Sequence, residues 1–288
     1  MVHNVSIVDL GGTLTLLSGL CCLLLCLNLG GMLGWKSLPA ILLATASVVS
    51  LGLFIMIEGR VNHPIVDLGL FRNLPFAVGN ASLSVVMFSQ AVVMFLMPFY
   101  LIQGLGYSAS RAGLLITIIP LTTATIGVFS GWLSDKIGSR PLCTAGVALQ
   151  CLALFLLSRL SAESGISDIL LRLAILGIAS GMFQSPNNSQ IMGAVPRNTL
   201  GTASAMLATV RQIGLSTGFA IIGGVFASSQ LSYATRLIEE SLSPANVPSI
   251  STVLASQDGL IIAMSICSIG ILTSFIQGRR QAGSARGN

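Results

Sequence analysis

Eight stretches of this chain carry no charged side chain over lengths that suit a helix crossing a lipid bilayer. They run over residues 10–35, 37–57, 73–110, 112–134, 141–158, 173–196, 212–235 and 259–278. About 20 predominantly apolar residues in a helix span a hydrocarbon core of ~30 Å. The 141–158 and 212–235 stretches reach across with the help of flanking residues. One buried helix of a soluble protein can imitate such a stretch, but eight in series cannot. Lipid offers no partner to a backbone N–H or C=O, and a helix satisfies both within itself.

Composition agrees. Only 8% of the residues are charged, where a soluble domain carries about 25%, so there is too little charge to clothe a water-facing surface. The net charge of +5 does not point to nucleic acid, because few basic residues sit together and the excess is what inner-face loops of a membrane protein require. The six cysteines (Cys21, Cys22, Cys26, Cys143, Cys151 and Cys267) all fall within apolar stretches. They read as small packing residues, and neither a disulfide framework nor a zinc site is indicated. No basic segment precedes the first apolar stretch, which argues against a cleaved signal peptide.

The predicted architecture is an all-α polytopic membrane protein of about eight transmembrane helices. Residues 1–60 form a two-helix hairpin, closed by the short Gly34-Trp35-Lys36 connection. Residues 61–77 form a cytoplasmic linker, 78–278 a six-helix lobe and 279–288 a cytoplasmic tail. Within the lobe the spans are expected near 78–103, 112–133, 141–158, 169–194, 202–227 and 259–277. The longest polar connection is expected at 228–258. Three spans followed by three more suit a lobe built from inverted repeats, an idea that rests on helix count alone. With the N-terminus on side one, that side receives eight basic residues (Arg60, Arg72, Lys136, Arg140, Arg197, Arg279, Arg280 and Arg286) against five opposite (Lys36, Arg111, Arg159, Arg172 and Arg236). The positive-inside rule then makes side one, with both termini, cytoplasmic. The lipid bilayer of the cell membrane is the expected surrounding.

Few polar groups lie inside these stretches. Arg211 sits about nine residues into its span, roughly 14 Å along the helix. A mid-membrane arginine costs ~2.5–3.5 kcal/mol on insertion scales and normally faces a cavity or a polar partner. Either it lines a cavity beside Gln212 or it bonds helix carbonyls near the cytoplasmic end. Gln90, Gln184, Asn187 and Asn188 either line a path for a solute or join helices, at ~0.6 kcal/mol per interhelical bond. The pairs Gly127/Gly131, Gly177/Gly181 and Gly214/Gly218 have the spacing of close helix packing, and Pro98, Pro120 and Pro186 are candidate kinks. No carboxylate falls in the middle of a span, and His3 and His63 lie outside them, so no proton-carrying group is placed in the membrane. There is no phosphate-binding Gly-rich loop, no His-Glu-x-x-His and no Gly-x-Ser-x-Gly. No catalytic residue, metal ligand or cofactor site is predicted, and the chain does not read as an enzyme.

One loop carries a specific pattern. Gly131-Trp132-Leu133-Ser134-Asp135-Lys136-Ile137-Gly138-Ser139-Arg140 resembles the signature loop of the major facilitator superfamily. Gly131, Leu133, Asp135, Lys136, Gly138 and Arg140 match, whereas Ser139 stands where a basic residue is usual. Gly131 allows close approach of a neighbour and Gly138 a tight turn. Asp135 is expected to accept from a helix N-terminus and to pair with Arg140, as a latch that breaks when lobes rock apart. Asp9-Leu10-Gly11-Gly12, Asp67-Leu68-Gly69-Leu70-Phe71-Arg72-Asn73 with Pro75-Phe76, Pro98-Phe99-Tyr100-Leu101-Ile102-Gln103, and Ser185-Pro186-Asn187-Asn188-Ser189 follow in order. They are similar to segments of the fourteen-helix drug:proton antiporters of the EmrB/QacA type.

That resemblance implies a central hairpin followed by the six-helix C-terminal lobe of a permease. The implied activity is export of amphipathic, often cationic, small-molecule substrates by alternating access against proton entry. The family has six further helices before the hairpin, so the chain reads as a truncated or split form, with a separate N-terminal six-helix lobe as its expected partner. A non-transporting membrane remnant, or a subunit active only with that lobe, is the rival reading.

Overall fold

A computed structural model describes residues 10–33, 37–58, 70, 73–239 and 246–284. Asp9, Lys36, Arg60, His63, Asp67, Arg72, Glu240 and Arg286, and with them most of the expected linker, lie outside these residues. Every regular element among the described residues is helical. The elements are α1 (Leu10–Leu33), α2 (Leu38–Glu58), α3 (Leu74–Phe99), α4 (Ala109–Ile116), α5 (Ile118–Ile137), α6 (Ser139–Ser158), α7 (Ile166–Gly193), α8 (Leu200–Glu239) and α9 (Val247–Ser284). By length and composition, seven of the helical stretches can cross a membrane: Leu38–Ile57, Leu74–Gly104, Ala109–Ile137, Ser139–Ser158, Ile166–Gly193, Arg197–Glu239 and Val247–Gly270. The shorter apolar stretch Leu14–Cys26 lies within α1.

Prolines shape two of these spans. Pro75 opens α3, where its missing N–H costs nothing, so the helix begins at Leu74 rather than near residue 78. At the far end, Pro98 has no N–H for the carbonyl of Met94, and a π turn, Tyr100–Gly104, follows. Pro120 likewise cannot donate to Ile116, and the span expected over 112–133 is broken at Thr117 into α4 and α5. Pro186 sits inside α7 without ending it.

The polar stretch 228–258, expected as a long connection, is mostly helix: α8 continues to Glu239 and α9 starts at Val247. Two side-chain bonds join the helix ends. Gln230 Nε2 donates to Thr252 Oγ1 at 2.7 Å and Tyr233 OH to Asp258 Oδ2 at 2.8 Å. Bonds of this kind let a polar segment stay helical where composition alone reads as loop.

Packing follows an exchange pattern. The first helix of each three-span unit packs on the second of the other: α3 on α8, and α7 on α5. The first also packs on the third of the other, α3 on α9 and α7 on α6, while the two third helices, α6 and α9, meet. The inter-unit contacts of α3, α5 and α6 are thus mirrored by those of α7, α8 and α9, the arrangement that an inverted repeat produces. The common core lies where α3, α6, α7 and α9 meet, around Leu96, Val147, Leu154, Leu176 and Phe183. Helices α1 and α2 pair antiparallel, with Ser47 Oγ donating to Gly19 O at 3.1 Å, and α1 leans on α8.

Outward faces are apolar: Val128 on α5 and Val48 on α2 are 74% and 73% exposed, which suits hydrocarbon as solvent. Association among such helices therefore depends on close packing and interhelical hydrogen bonds rather than on hydrophobicity. The glycines supply the closeness. A Cβ on Gly181 would lie 2.7 Å from Thr123 O and 3.0 Å from Gly127 N, and one on Gly218 would lie 2.7 Å from Phe88 O. Gly177 and Gly214 are equally tight, against Ile119 O at 2.6 Å and Ser84 O at 2.7 Å. Gly127 itself differs from expectation: its own Cβ direction is open, and only its backbone is approached. Gly181→Ala is accordingly expected to destabilise the bundle by about 1–3 kcal/mol, the range for overpacking against backbone. Thermal unfolding in detergent, with Gly127→Ala as the neutral control, checks this.

Candidate functional site

A cavity of about 430 Å³ opens among α3, α4, α5, α7 and α8. The exchange packing brings these helices to one side of the bundle, and their few polar residues meet there. Gln90 comes from α3, Thr117 and Thr123 from the broken span, Gln184 from α7 and Arg211 from α8. The remaining lining is apolar, with Met87, Met94, Leu176 and Leu215 among it. Such a site has the usual character of a small-molecule pocket, apolar with a few placed polar groups.

Gln90 Nε2 donates to Ser180 Oγ at 3.3 Å, which ties α3 to α7 and fixes the amide at the cavity wall. Arg211 forms no hydrogen bond or ion pair with any described residue, and its Nε is buried without a partner. Its guanidinium therefore does not cap helix carbonyls; it lines the cavity. The other residues singled out from sequence lie elsewhere. Asn187 is buried and donates from Nδ2 to Gly79 O at 3.3 Å, joining α7 to α3. Asn188 is half-buried, with Oδ1 unpartnered, and does not reach the cavity lining. Gln212 points outward and bonds Ser216 Oγ on its own helix at 3.3 Å.

The signature loop lies at one end of the bundle. Helix α5 ends when Gly138 adopts φ +86° and donates its N–H to Ser134 O at 2.9 Å, a conformation glycine enters at little cost. Gly131 packs against α7, where a Cβ would lie 2.8 Å from Ser185 Oγ, so the close neighbour is a side chain rather than backbone. Leu133 is half-buried, and Asp135 and Lys136 are exposed; Lys136 Nζ lies 3.8 Å above the Trp132 ring. Arg140, on the first turn of α6, borders a cleft of about 510 Å³ with Asn73, Gln190 and Ala194. Asp135 does not pair with Arg140: the turn at Gly138 leaves Asp135 on the exposed end of α5 and turns Arg140 toward α7. Among the described residues the ion pair present is Asp168–Arg172, at 2.7 Å.

That ion pair was missed in the sequence, though its i, i+4 spacing on one helix is a readable signal. Arg172 also donates to Leu156 O, and nearby Tyr100 OH donates to Ser161 O at 2.7 Å, so the α6–α7 connection is clamped to the π turn that follows α3. Gln150, fully buried on α6 and donating to Val86 O at 3.2 Å, was missed as well. No spacing marks it, only its polarity within an apolar run.

Comparison with known proteins gives a consistent picture. The sequence model of the Major Facilitator Superfamily matches residues 10–219. The riboflavin transporter RibZ of Clostridioides difficile is 35% identical over 232 residues, which cover 80% of this chain and 49% of RibZ. The multidrug resistance protein Stp of Mycobacterium tuberculosis is 30% identical over 220 residues, covering 76% of this chain and 41% of Stp. The chain thus spans about half the length of the curated relatives it matches. In three dimensions it is similar to a bacterial homolog of the human lysosomal transporter Spinster in an inward-facing, occupied conformation. The TM-score is 0.59 at 16% identity, covering 93% of this chain and 65% of that one.

The cavity assignment predicts a labelling pattern. In a background with the six cysteines replaced by serine, Gln90→Cys and Gln184→Cys are expected to react with a small water-soluble thiol reagent. Asn187→Cys is expected to stay at least about tenfold slower, because closed packing denies access to the thiol. Mass spectrometry of the labelled protein reads the difference.

Proposed function

This chain belongs to the Major Facilitator Superfamily, and on that premise we propose that it moves amphipathic small organic compounds out of the cell by alternating access. The observation that carries the reading is the apolar cavity walled by α3, α5, α7 and α8, into which Gln90, Gln184 and Arg211 converge. An apolar wall with three placed hydrogen-bonding groups suits solutes that combine an apolar body with a polar end. The direction of transport is supported by relatives named for resistance, among them Stp and the lincomycin resistance protein LmrB of Listeria monocytogenes, 23% identical over 85% of this chain.

In this reading α1 and α2 are the central hairpin of a fourteen-helix permease of the EmrB/QacA type, and α3–α9 its C-terminal lobe. A cavity walled on one side needs an opposing wall to enclose a solute, and a second six-helix lobe supplies it. The loop 131–140 faces the cytoplasm, as do both termini. The unpaired Asp135 is then free to latch to a helix end of that second lobe, rather than to Arg140. Among the described residues the cavity lining contains no carboxylate, and in this reading a coupling proton is carried by the opposing lobe.

Two measurements test this. Cells expressing the chain together with a homologous N-terminal six-helix lobe are expected to accumulate less of a fluorescent amphipathic dye than cells expressing either part alone. Asp135→Asn should abolish that difference while membrane insertion persists; unchanged efflux would remove the latch role. A reporter active only outside the cytoplasm should be silent when fused after Arg140 and active after Glu163, and the opposite pattern would invert the topology.

A further inference from the structure

Among the described residues the lining of the cavity contains one charged group, and it is positive. Arg211 stands among apolar side chains and neutral amides and hydroxyls, and no carboxylate of the described residues borders the space. Its guanidinium makes no bond to any described residue, and its Nε is withdrawn from solvent without an acceptor. Arg211 is half-buried with its Nε withdrawn from solvent, and a partly desolvated cation gains from an anion brought to it in low dielectric. Among the described residues no such anion borders the cavity, which leaves that role to a ligand. A guanidinium presents parallel N–H donors in a planar fork that fits the two oxygens of a carboxylate, an arrangement stronger and more selective than a bond to a neutral carbonyl. A cationic compound would meet repulsion in a space of low dielectric. Around Arg211, Gln90 and Gln184 offer amides for further polar atoms, and Met87, Met94 and Leu215 offer deformable apolar surface to a ring system.

We propose that this cavity selects amphipathic organic acids, with the carboxylate seated on Arg211 and the apolar body against the methionine and leucine wall, in place of the cationic compounds that the family resemblance suggests. The assignment rests on the reading of this cavity as the substrate site. Arg211 acts here as the residue that sets charge selectivity.

The test compares three fluorescent ligands of one shape: 9-anthracenecarboxylic acid, its methyl ester, and 9-(aminomethyl)anthracene. Each is titrated against the purified full chain in lipid nanodiscs, with empty nanodiscs subtracted to remove partition into lipid. The acid is expected to bind at least about tenfold more tightly than the ester, the scale of one charge-assisted bond, and the amine more weakly than either. Arg211→Gln should erase the preference for the acid and leave the ester unchanged, and Arg211→Lys should keep part of it. Circular dichroism and monodispersity of the nanodisc-bound variants show whether each chain is folded. Equal binding of acid and ester overturns the proposal, as does preference for the amine. So does an Arg211→Gln chain, folded, that still prefers the acid, or failure of a folded wild-type chain to bind any of the three. Flux separates this from the transport reading. If the acid binds through Arg211 but is not exported when the opposing lobe is co-expressed, charge selectivity stands and transport falls.

Discussion

Backbone that cannot borrow hydrogen bonds from its solvent has to close them within each helix, and this requirement governs the whole molecule. Once every span is a self-satisfied helix in hydrocarbon, little hydrophobic force remains to join one span to the next. What remains is proximity. Gly177 and Gly181 bring α7 onto the backbone of α5, while Gly214 and Gly218 bring α8 onto α3. These are the same two pairings that the exchange between three-helix units relates to one another, so one packing solution serves both units. Interhelical bonds such as Gln150 to Val86 O and Asn187 to Gly79 O then fix register at points where a polar side chain would otherwise have no partner.

Much of this was legible from sequence because the dominant signal, absence of charge over some 20 residues, is one-dimensional. The spans, the turn at Gly138 and the presence of Gln90, Gln184 and Arg211 among the few polar residues in lipid could all be seen there. Which way those residues point could not. Arg211 and Gln212 are neighbours, yet a helix rotates about 100° per residue; one lines the cavity and the other, exposed, bonds Ser216 of its own helix. Asn187 and Gln184 share one helix face only approximately, and three residues of rotation separate a cavity wall from a helix joint. The pairing of Asp135 with Arg140 failed for a related reason: sequence proximity across a glycine turn does not imply that two side chains leave the turn in the same direction. The helical character of 228–239 and 247–258 was hidden because Gln230 and Tyr233 bond Thr252 and Asp258 across the two helices, while composition reads such residues as solvated loop.

The broken span unites the fold with the cavity. Pro120 removes the donor that Ile116 O would use, and Thr117 stands at the resulting break between α4 and α5. Irregular backbone at membrane depth is tolerable only where protein or a water-filled cavity covers it. Ile116, Thr117 and Pro120 all border the cavity, so the defect faces the space where a solute or water can satisfy it, while the lipid-facing side of the same span, around Val128 and Phe129, remains regular helix. Arg211, a cation without a hydrogen-bond partner among the described residues, lines the same cavity. Both features offer a polar occupant something to bond: the carbonyl of Ile116, which Pro120 cannot serve, and the guanidinium of Arg211.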